Sequence, residues 1–372
     1  MKYIHSRGCK LTTQILNFSV DGGNKNILQW LFDNNCDKDE EACEIAALKD
    51  DLNLLAILKH NNVPWNETTC AAAATKGNLE IIKYARDEGC EWDTHTMINA
   101  AESGSLNIIK YAYKKGCKYD SEVMTRAIQF DRLNIIRWLM RKVHFVHYDK
   151  CNAAAFYGRE NLLTYFLNMG ETLNTKLYDL ASLGGHVKIL DLLYLNGCPI
   201  SLDACNNASQ NGNLDALKWL LEHKFEINSQ ALFLAAKGGH LNVFKFLMEY
   251  GITYSSNIIE EAIKNGRINI VEYLHEIGLR GDVKSCNIAT EYGRLDMLKY
   301  LISKNYYYDS NIKHLAIKYD HEDIQKYIED DLELSEVIIH YDSSIKYILL
   351  YNKINGKSVN LDQRYIGYIY IV

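Results

Sequence analysis

The chain has 372 residues, of which 48% are apolar and 24% are charged, and its net charge is −6. This composition excludes the disordered and collagen-like classes of sequence. Because 47 acidic residues stand against 41 basic ones, the chain has no overall positive field that would recruit nucleic acid or anionic lipid. No apolar run reaches the roughly 18 residues of a membrane span, and the start lacks the apolar core of a signal peptide. We therefore expect an intracellular protein without a membrane segment.

A period of 27 residues runs through most of the chain. From Gly23, steps of 27 reach a glycine or an aspartate every time, without insertion or deletion. Both residue types favour the tight turns that connect helices. We call these twelve positions the anchors and number the other positions of a repeat by their offset from its anchor. The anchors are Gly23, Asp50, Gly77, Gly104, Asp131, Gly158, Gly185, Gly212, Gly239, Gly266, Gly293 and Asp320.

The segment before the first anchor already follows the period. Tyr3, Gly8 and Cys9 stand at offsets 7, 12 and 13 of an earlier repeat. Met1 would then begin inside a helix. This indicates either an eroded first repeat that caps the array or a loss of upstream sequence.

A helix is predicted after each anchor. Apolar residues stand at offsets 4, 5 and 8, as in Ile81, Ile82 and Ala85, which is the spacing of one helical face. Offset 7 is aromatic in ten of the twelve repeats, and Ile57 and Leu192 occupy it in the other two. The pattern indicates an amphipathic helix that carries one ring per repeat.

A second helix is predicted around offset 23. This offset is alanine in all eleven copies, from Ala46 to Ala316, and a methyl group there lets neighbouring helices approach closely. Offset 16 is Asp, Asn or Ser in ten of eleven copies, as in Asn66 and Asp93, and these residue types cap helix N-termini. Each repeat therefore predicts two short helices joined by a turn at the anchor.

Two features of the repeat resemble a known family. Residues 77–84 and 239–247 are similar to the second half of the ankyrin repeat, and the alanine pairs that begin at Ala73, Ala100 and Ala235 match its first helix. The resemblance covers roughly residues 10–330. The usual ankyrin repeat has about 33 residues and a Thr-Pro-Leu-His opening, whereas this repeat is about six residues shorter and lacks the opening.

The resemblance implies an all-α, ankyrin-like solenoid of about twelve stacked helix-turn-helix units. It also implies a non-catalytic scaffold for protein–protein interaction, monomeric, with no small-molecule substrate and no cofactor. Loops such as residues 89–93, Gly-Cys-Glu-Trp-Asp, look like those of arrays common in giant DNA viruses of amoebae and in some protists. This likeness implies host or other cellular proteins as partners and a location in the cytosol or the host cytoplasm.

Ankyrin-like arrays are often joined to an F-box, so a substrate-binding adaptor for a ubiquitin ligase is an alternative function. Neither end of the chain carries the Leu-Pro helix cluster of an F-box. Sequence upstream of Met1 would distinguish this alternative from the simple scaffold.

The period fades after about Ile328. We expect the repeat array to cover residues 1–332 and a small C-terminal cap or tail to cover residues 333–372. This last segment is rich in tyrosine and isoleucine, and Asn355-Gly356 between apolar stretches is a hairpin signal. A partly ordered tail is the other interpretation.

Ten cysteines suggest disulfides or a metal site, but the period argues against both. Five stand at offset 13 and five at offset 20, and other copies hold Val63 or Ile252 at the first of these offsets. We therefore predict that cysteine fills a small buried site. The two sets are Cys9, Cys36, Cys90, Cys117 and Cys198, and Cys43, Cys70, Cys151, Cys205 and Cys286.

One cluster has the spacing of metal ligands. His144, His147, Asp149 and Cys151 together offer imidazole, carboxylate and thiol groups, which zinc prefers. However, His144 stands at the cysteine offset and His147 replaces a helix cap, so drift of the repeat explains both residues. We predict no metal site.

Other polar residues are assigned to the scaffold. His186, His240 and His321 directly follow anchors, where ankyrin-like units often carry histidine for local hydrogen bonding. The chain has no nucleophile and base pair, no phosphate-binding glycine loop and no paired-carboxylate signature. We therefore do not expect an enzyme.

Offset 6 is basic in seven of twelve repeats. Such a row could follow a phosphate backbone, which is the nucleic-acid alternative, but a solvated helix face is more common. Acidic residues three positions earlier in several repeats favour the solvated face. The row consists of Lys83, Lys110, Arg137, Lys218, Lys245, Lys299 and Lys326.

Partner recognition is expected where the repeats differ from one another. Offset 26 varies strongly and carries aromatic residues on two pairs of consecutive repeats. Exposed aromatic residues are common anchors of protein interfaces, although these rings could instead pack over the turn. The candidate partner-binding residues are Phe130 and Tyr157, with Phe156 beside them, and Tyr292 and Tyr319.

Overall fold

The computed structural model describes residue 8, residues 10–143, 149–254 and 257–330, and two short strands at 353–354 and 357–358. Within this part of the chain it contains 24 helices of seven to ten residues. The helices alternate between an A helix, which ends just before an anchor and has an odd number, and a B helix, which begins two residues after it and has an even number. The fold is a helical repeat solenoid, as the period predicts.

The chain divides into two compact units, residues 1–204 and 205–372, a division that the period does not mark. The first unit contains α1 Thr13–Asp21, α2 Lys25–Asp33, α3 Glu41–Leu48, α4 Leu52–His60, α5 Glu67–Lys76, α6 Leu79–Asp87, α7 Thr94–Ser103, α8 Leu106–Lys114, α9 Glu122–Gln129, α10 Leu133–Lys142, α11 Lys150–Phe156, α12 Glu160–Asn168, α13 Lys176–Gly184 and α14 Val187–Leu195. From the boundary onward follow α15 Ala204–Gln210, α16 Leu214–Glu222, α17 Ser229–Gly238, α18 Leu241–Glu249, α19 Ile258–Lys264, α20 Ile268–Glu276, α21 Ser285–Glu291, α22 Leu295–Ser303, α23 Asn311–Lys318 and α24 Glu322–Asp330.

The turns lie where the anchors predict them. All twelve anchors have a positive φ, including Asp50 at 60° and Asp131 at 57°. After ten of the B helices from α2 to α22, offset 12 forms a second left-handed turn, occupied by glycine, by asparagine or, once, by Lys224. Val143 departs from this rule with an extended conformation at φ −125°. Glycine and asparagine dominate because they tolerate this backbone region best.

The A helices form the main contacts between repeats. In the first unit consecutive A helices pack on each other from α1 through α13, and in the second unit they do so from α17 through α23. All eleven alanines at offset 23 are completely buried. The prediction that alanine allows close packing is therefore confirmed.

The B helices bury the predicted apolar face against the A helix that directly precedes them in the chain. Offsets 4, 5 and 8 are inaccessible to solvent in Ile81, Ile82 and Ala85, for example. The predicted caps are confirmed where the offset-16 side chain accepts a hydrogen bond from the backbone N–H two residues on, as at Asn66 (3.0 Å) and Asp93 (3.0 Å). Asp39 does not cap its helix in this way. Its carboxylate instead accepts a hydrogen bond from the Asn17 side-chain amide at 3.2 Å.

The two short strands pair antiparallel, Lys353 with Ser358 and Ile354 with Lys357. In the sequence, Asn355-Gly356 stands between these strands, and the predicted turn itself lies outside the described residues. The rest of the expected C-terminal cap lies outside the described residues. None of the described helices has the length and apolar character that a membrane crossing requires.

Candidate functional site

In seven repeats the residue after the anchor is an arginine or histidine that donates a hydrogen bond to an A helix 30 residues earlier. Arg132 Nη2 donates to the backbone carbonyl of Glu102 at 2.9 Å, and His186 Nε2 donates to that of Phe156 at 2.9 Å. Each acceptor lies in the last turn of an A helix, where carbonyls have no partner within the helix. The same bond joins Arg159 to Gln129, His240 to Gln210, Arg267 to Lys237, Arg294 to Lys264 and His321 to Glu291. The three predicted histidine bonds exist, but they span 30 residues instead of being local.

The basic row at offset 6 also joins neighbouring repeats. In four repeats the cation lies over the aromatic ring at offset 7 of the next repeat, 28 residues later. The distances from cation to ring centroid are 5.1 Å for Arg137 and Tyr165, 5.6 Å for Lys218 and Phe246, 4.7 Å for Lys245 and Tyr273, and 4.8 Å for Lys299 and Tyr327. These are cation–π distances, so the four cations have a packing role that the sequence did not predict. Nucleic-acid binding by the row stays an alternative, and it would be recognised by an affinity that falls steeply with salt.

The described cysteines are buried and free, as the packing interpretation predicts. The thiols at offset 13 have a further role. Cys36, Cys90, Cys117 and Cys198 each donate to the backbone carbonyl of the offset-16 residue in the preceding repeat, at 3.1 to 3.4 Å. Burial raises the pKa of Cys205 and Cys286 to about 12, so these thiols are protonated and unreactive at neutral pH.

Only part of the candidate zinc cluster can be placed. His144 and His147 lie outside the described residues. Asp149 caps α11 by accepting from the Asn152 N–H at 3.0 Å, and Cys151 is buried in the core. Elsewhere in the described chain, no three His, Cys, Asp or Glu side chains are arranged to hold a metal ion.

The offset-26 aromatic residues lie at the ends of A helices. In the first unit, Phe130 and Tyr157 are half-buried and Phe156 is 37% exposed. Phe156 and Tyr157 contact each other edge to face, with centroids 5.0 Å apart. This pair therefore presents a compact aromatic surface that is partly open to solvent.

In the second unit, Tyr292 and Tyr319 are each 40% exposed. The Lys264 ammonium lies 4.7 Å from the centroid of Tyr292, and the Tyr319 hydroxyl donates to Glu291 Oε1 at 3.2 Å. Both rings are thus held in place by polar neighbours while keeping an exposed surface.

A set of exposed apolar residues was not predicted. In the first unit these residues lie at the end of B helices and in the loops that follow, and Leu195 and Leu202 are 81% and 71% exposed. At offsets 10, 11 and 17 their signal in the sequence is apolar character where most repeats are polar, as in Leu195, Met169 and Leu202. Offsets 9 and 15 are apolar in most repeats and give no such signal. The set comprises Met169, Tyr194, Leu195, Ile200 and Leu202 in the first unit, and Tyr250, Tyr254, Ile277 and Val283 in the second.

A cleft of about 820 Å³ opens along α2, α4 and α6. Its residues come from offsets 2 to 11 of three consecutive repeats. It lies where offsets 6 and 7 of the middle repeat hold Ala56 and Ile57 in place of the usual long cation and ring. The cleft is lined by Lys25, Gln29, Asn53, Ala56, Ile57, Lys59, His60, Asn61, Tyr84 and Glu88.

Solved structures with a similar arrangement include the pentatricopeptide repeat protein PPR10 from maize. The TM-score is 0.35 at 13% identity, and the alignment covers 89% of this chain and 60% of that chain. The structure of PPR10 in complex with an 18-nt psaJ RNA element gives a TM-score of 0.37 at 12% identity, with 86% and 58% covered. This chain thus spans less than two thirds of those proteins, and at these TM-scores the likeness does not bear on what it binds.

No curated protein matches the sequence significantly. Residues 205–285 match the family model of ankyrin repeats, in three copies. The matched segment contains the anchors Gly212, Gly239 and Gly266, and the same 27-residue repeat runs on both sides of it. Residues 205–285 therefore carry ankyrin repeats.

Proposed function

We propose that this protein is a non-catalytic scaffold that binds cellular or host proteins through the offset-26 aromatic residues. Ankyrin repeats indicate a protein-interaction scaffold in general. The observation that carries the finer proposal is a contrast between offsets. Offsets 1, 6 and 7 hold contacts that recur between repeats. Offset 26 varies in sequence, and its Tyr292 and Tyr319, although contacted by Lys264 and Glu291, stay partly exposed, as does Phe156 one position before this offset.

Aromatic side chains suit this role for a physical reason. They bury a large area on binding and lose little conformational entropy, because they have few rotatable bonds. Phe156 already contacts Tyr157, and the Tyr319 hydroxyl is held by Glu291, so both surfaces are partly preorganised. Preorganisation lowers the cost of ordering side chains on association.

The test compares two variants of the full chain. Combined Phe130→Ala, Phe156→Ala and Tyr157→Ala substitutions remove the aromatic surface of the first unit. Phe18→Ala, at a ring that is 76% exposed on α1, is the control for loss of an exposed aromatic residue elsewhere. Partners are captured from cells, identified by mass spectrometry and then measured with purified components.

We expect the triple variant to bind the purified partner about 30-fold more weakly, as for loss of an interface anchor worth about 2 kcal/mol. Phe18→Ala should bind like the wild type, and the melting curves of all three proteins should be similar. Unchanged affinity, or a large loss of stability in the triple variant, would show that these rings pack the turn and do not bind a partner.

A further inference from the structure

The cleft along α2, α4 and α6 interrupts the row of cation–π contacts. In four repeats, a long cation at offset 6 covers the ring 28 residues later, at 4.7 to 5.6 Å. Tyr84 supplies such a ring, but the residue 28 positions earlier is Ala56, whose side chain ends at Cβ. Both residues line the cleft. The position that a cation occupies in other repeats is therefore open space at Tyr84.

The surroundings of Tyr84 favour a positive charge. Glu88 lies one helical turn after Tyr84 and lines the same cleft. Burial raises the pKa of the Tyr84 hydroxyl, and the nearby Glu88 carboxylate raises it further. The negative face of the ring adds its own attraction for a cation.

Among the described residues, no lysine lies over the Tyr84 ring. Lys59 also lines the cleft, but its ammonium lies 4.1 Å from the centroid of Trp65. Trp65 in turn contacts Tyr84 edge to face, with centroids 6.2 Å apart. The Lys59 charge is thus engaged by a neighbouring ring, and that ring helps to hold Tyr84 in place.

We propose that this cleft receives an arginine or lysine side chain of a protein partner, which lies over Tyr84 and completes the cation–π row. The proposal rests on the proposed function, binding of proteins, and names the chemistry of one contact. Ile57 and Ala56 supply apolar surface for the aliphatic part of the incoming side chain, and Glu88 supplies the opposite charge. Arginine fits best, since its planar guanidinium stacks on aromatic faces.

An acidic peptide is the competing occupant, because Lys25 and His60 also line the cleft. Three short probes separate the two: acetyl-Gly-Arg-Gly-amide, the same peptide with neutral citrulline in place of arginine, and the same peptide with glutamate. Each is titrated into the full chain labelled at isoleucine methyl groups, and the NMR shift of the Ile57 methyl is followed. The arginine peptide should shift Ile57 in a saturable manner, the citrulline peptide should bind about two- to fivefold more weakly, and the glutamate peptide should have no effect.

Two variants locate the binding to Tyr84. Ala56→Lys places the chain's own cation where the other repeats have one, and it should abolish the response to the arginine peptide. Leu48→Lys adds the same charge at an exposed position outside the cleft and should leave the response intact. Tyr84→Leu keeps apolar bulk but removes the ring face, and should weaken binding about two- to fivefold. Thermal melts confirm that each variant is folded.

The proposal is wrong if no peptide shifts Ile57, if citrulline binds as well as arginine, if glutamate binds better, or if Ala56→Lys leaves the response unchanged. These measurements read peptide binding at the cleft directly. A negative result therefore removes the cleft proposal and leaves the separate test at Phe130, Phe156 and Tyr157 unaffected.

Discussion

At the scale of single residues, the choice between glycine and aspartate at an anchor follows from the next repeat. Asp50 and Asp131 have φ of 60° and 57°, so the left-handed turn alone does not require glycine. A Cβ at Gly158, however, would lie 2.5 Å from Nδ1 of His186, and one at Gly293 would lie 2.8 Å from Cε1 of His321. Glycine is needed at these anchors because the histidine of the next repeat lies against the turn.

This argument predicts different costs for two glycine substitutions. Gly158→Ala and Gly170→Ala both place alanine at a positive φ, 68° and 90°, but a Cβ at Gly170 has no neighbour within 4 Å. We expect Gly170→Ala to lower the free energy of unfolding by about 1 kcal/mol through backbone strain. Gly158→Ala should cost about 1 kcal/mol more, because His186 must move and lose its hydrogen bond to Phe156. Chemical denaturation followed by circular dichroism measures both, and equal losses would contradict the steric explanation.

At the scale of helices, each element depends on its neighbours. Helices of seven to ten residues are too short to be stable alone in water. The A helices gain stability from close alanine contacts, whereas the B helices add cation–π pairs such as Lys245 with Tyr273, at 4.7 Å. Stability therefore comes from stacking more than from helix propensity.

A double-mutant cycle tests whether the row of cations stabilises the stack. Lys245→Met keeps most of the methylene chain, and Tyr273→Leu keeps apolar bulk, so the cycle isolates the interaction of the charge with the ring. We expect a coupling free energy of about 0.5–1 kcal/mol from urea unfolding of the four proteins. Lys245→Met combined with Tyr300→Leu, a ring two repeats further on, is the control and should give a coupling near zero. A coupling free energy near zero for Lys245 and Tyr273 would favour the interpretation that the offset-6 cations form a solvated helix face.

At the scale of the whole molecule, substantial contacts between described helices join only consecutive helices or helices separated by one other helix. Stability in such an array is approximately a sum of terms for single repeats and for neighbouring interfaces. A local perturbation should therefore stay local within its own compact unit.

Overpacking at one alanine tests this locality. Ala73→Leu inserts bulk where the side chain is completely buried between A helices, and we expect it to destabilise by about 1–3 kcal/mol. Hydrogen exchange measured by mass spectrometry should accelerate in α3, α5 and α7 and stay unchanged in α17 to α23. Lys76→Leu, on the exposed side of the same helix, is the control. Faster exchange throughout the chain would indicate cooperative unfolding of the whole array.

The sequence by itself determined the period, the turn at each anchor, the buried alanines and most of the helix caps. These features depend on backbone conformation and burial within one repeat, so residue types such as Gly77, Ala73 and Asn66 specify them locally. The sequence also indicated that the cysteines fill buried sites, because other small apolar residues replace them at the same offset.

Only the tertiary structure decided which side chains meet across the repeats. The cation of Lys245 over Tyr273, the bond from Cys90 to the Asn66 carbonyl and the open position beside Ala56 all depend on the distance and lateral register between stacked helices. A period shows that equivalent residues recur, but it does not determine which offsets contact each other across neighbouring repeats. That choice follows from how closely alanine lets the A helices approach, which is a property of the packed stack and not of any single repeat.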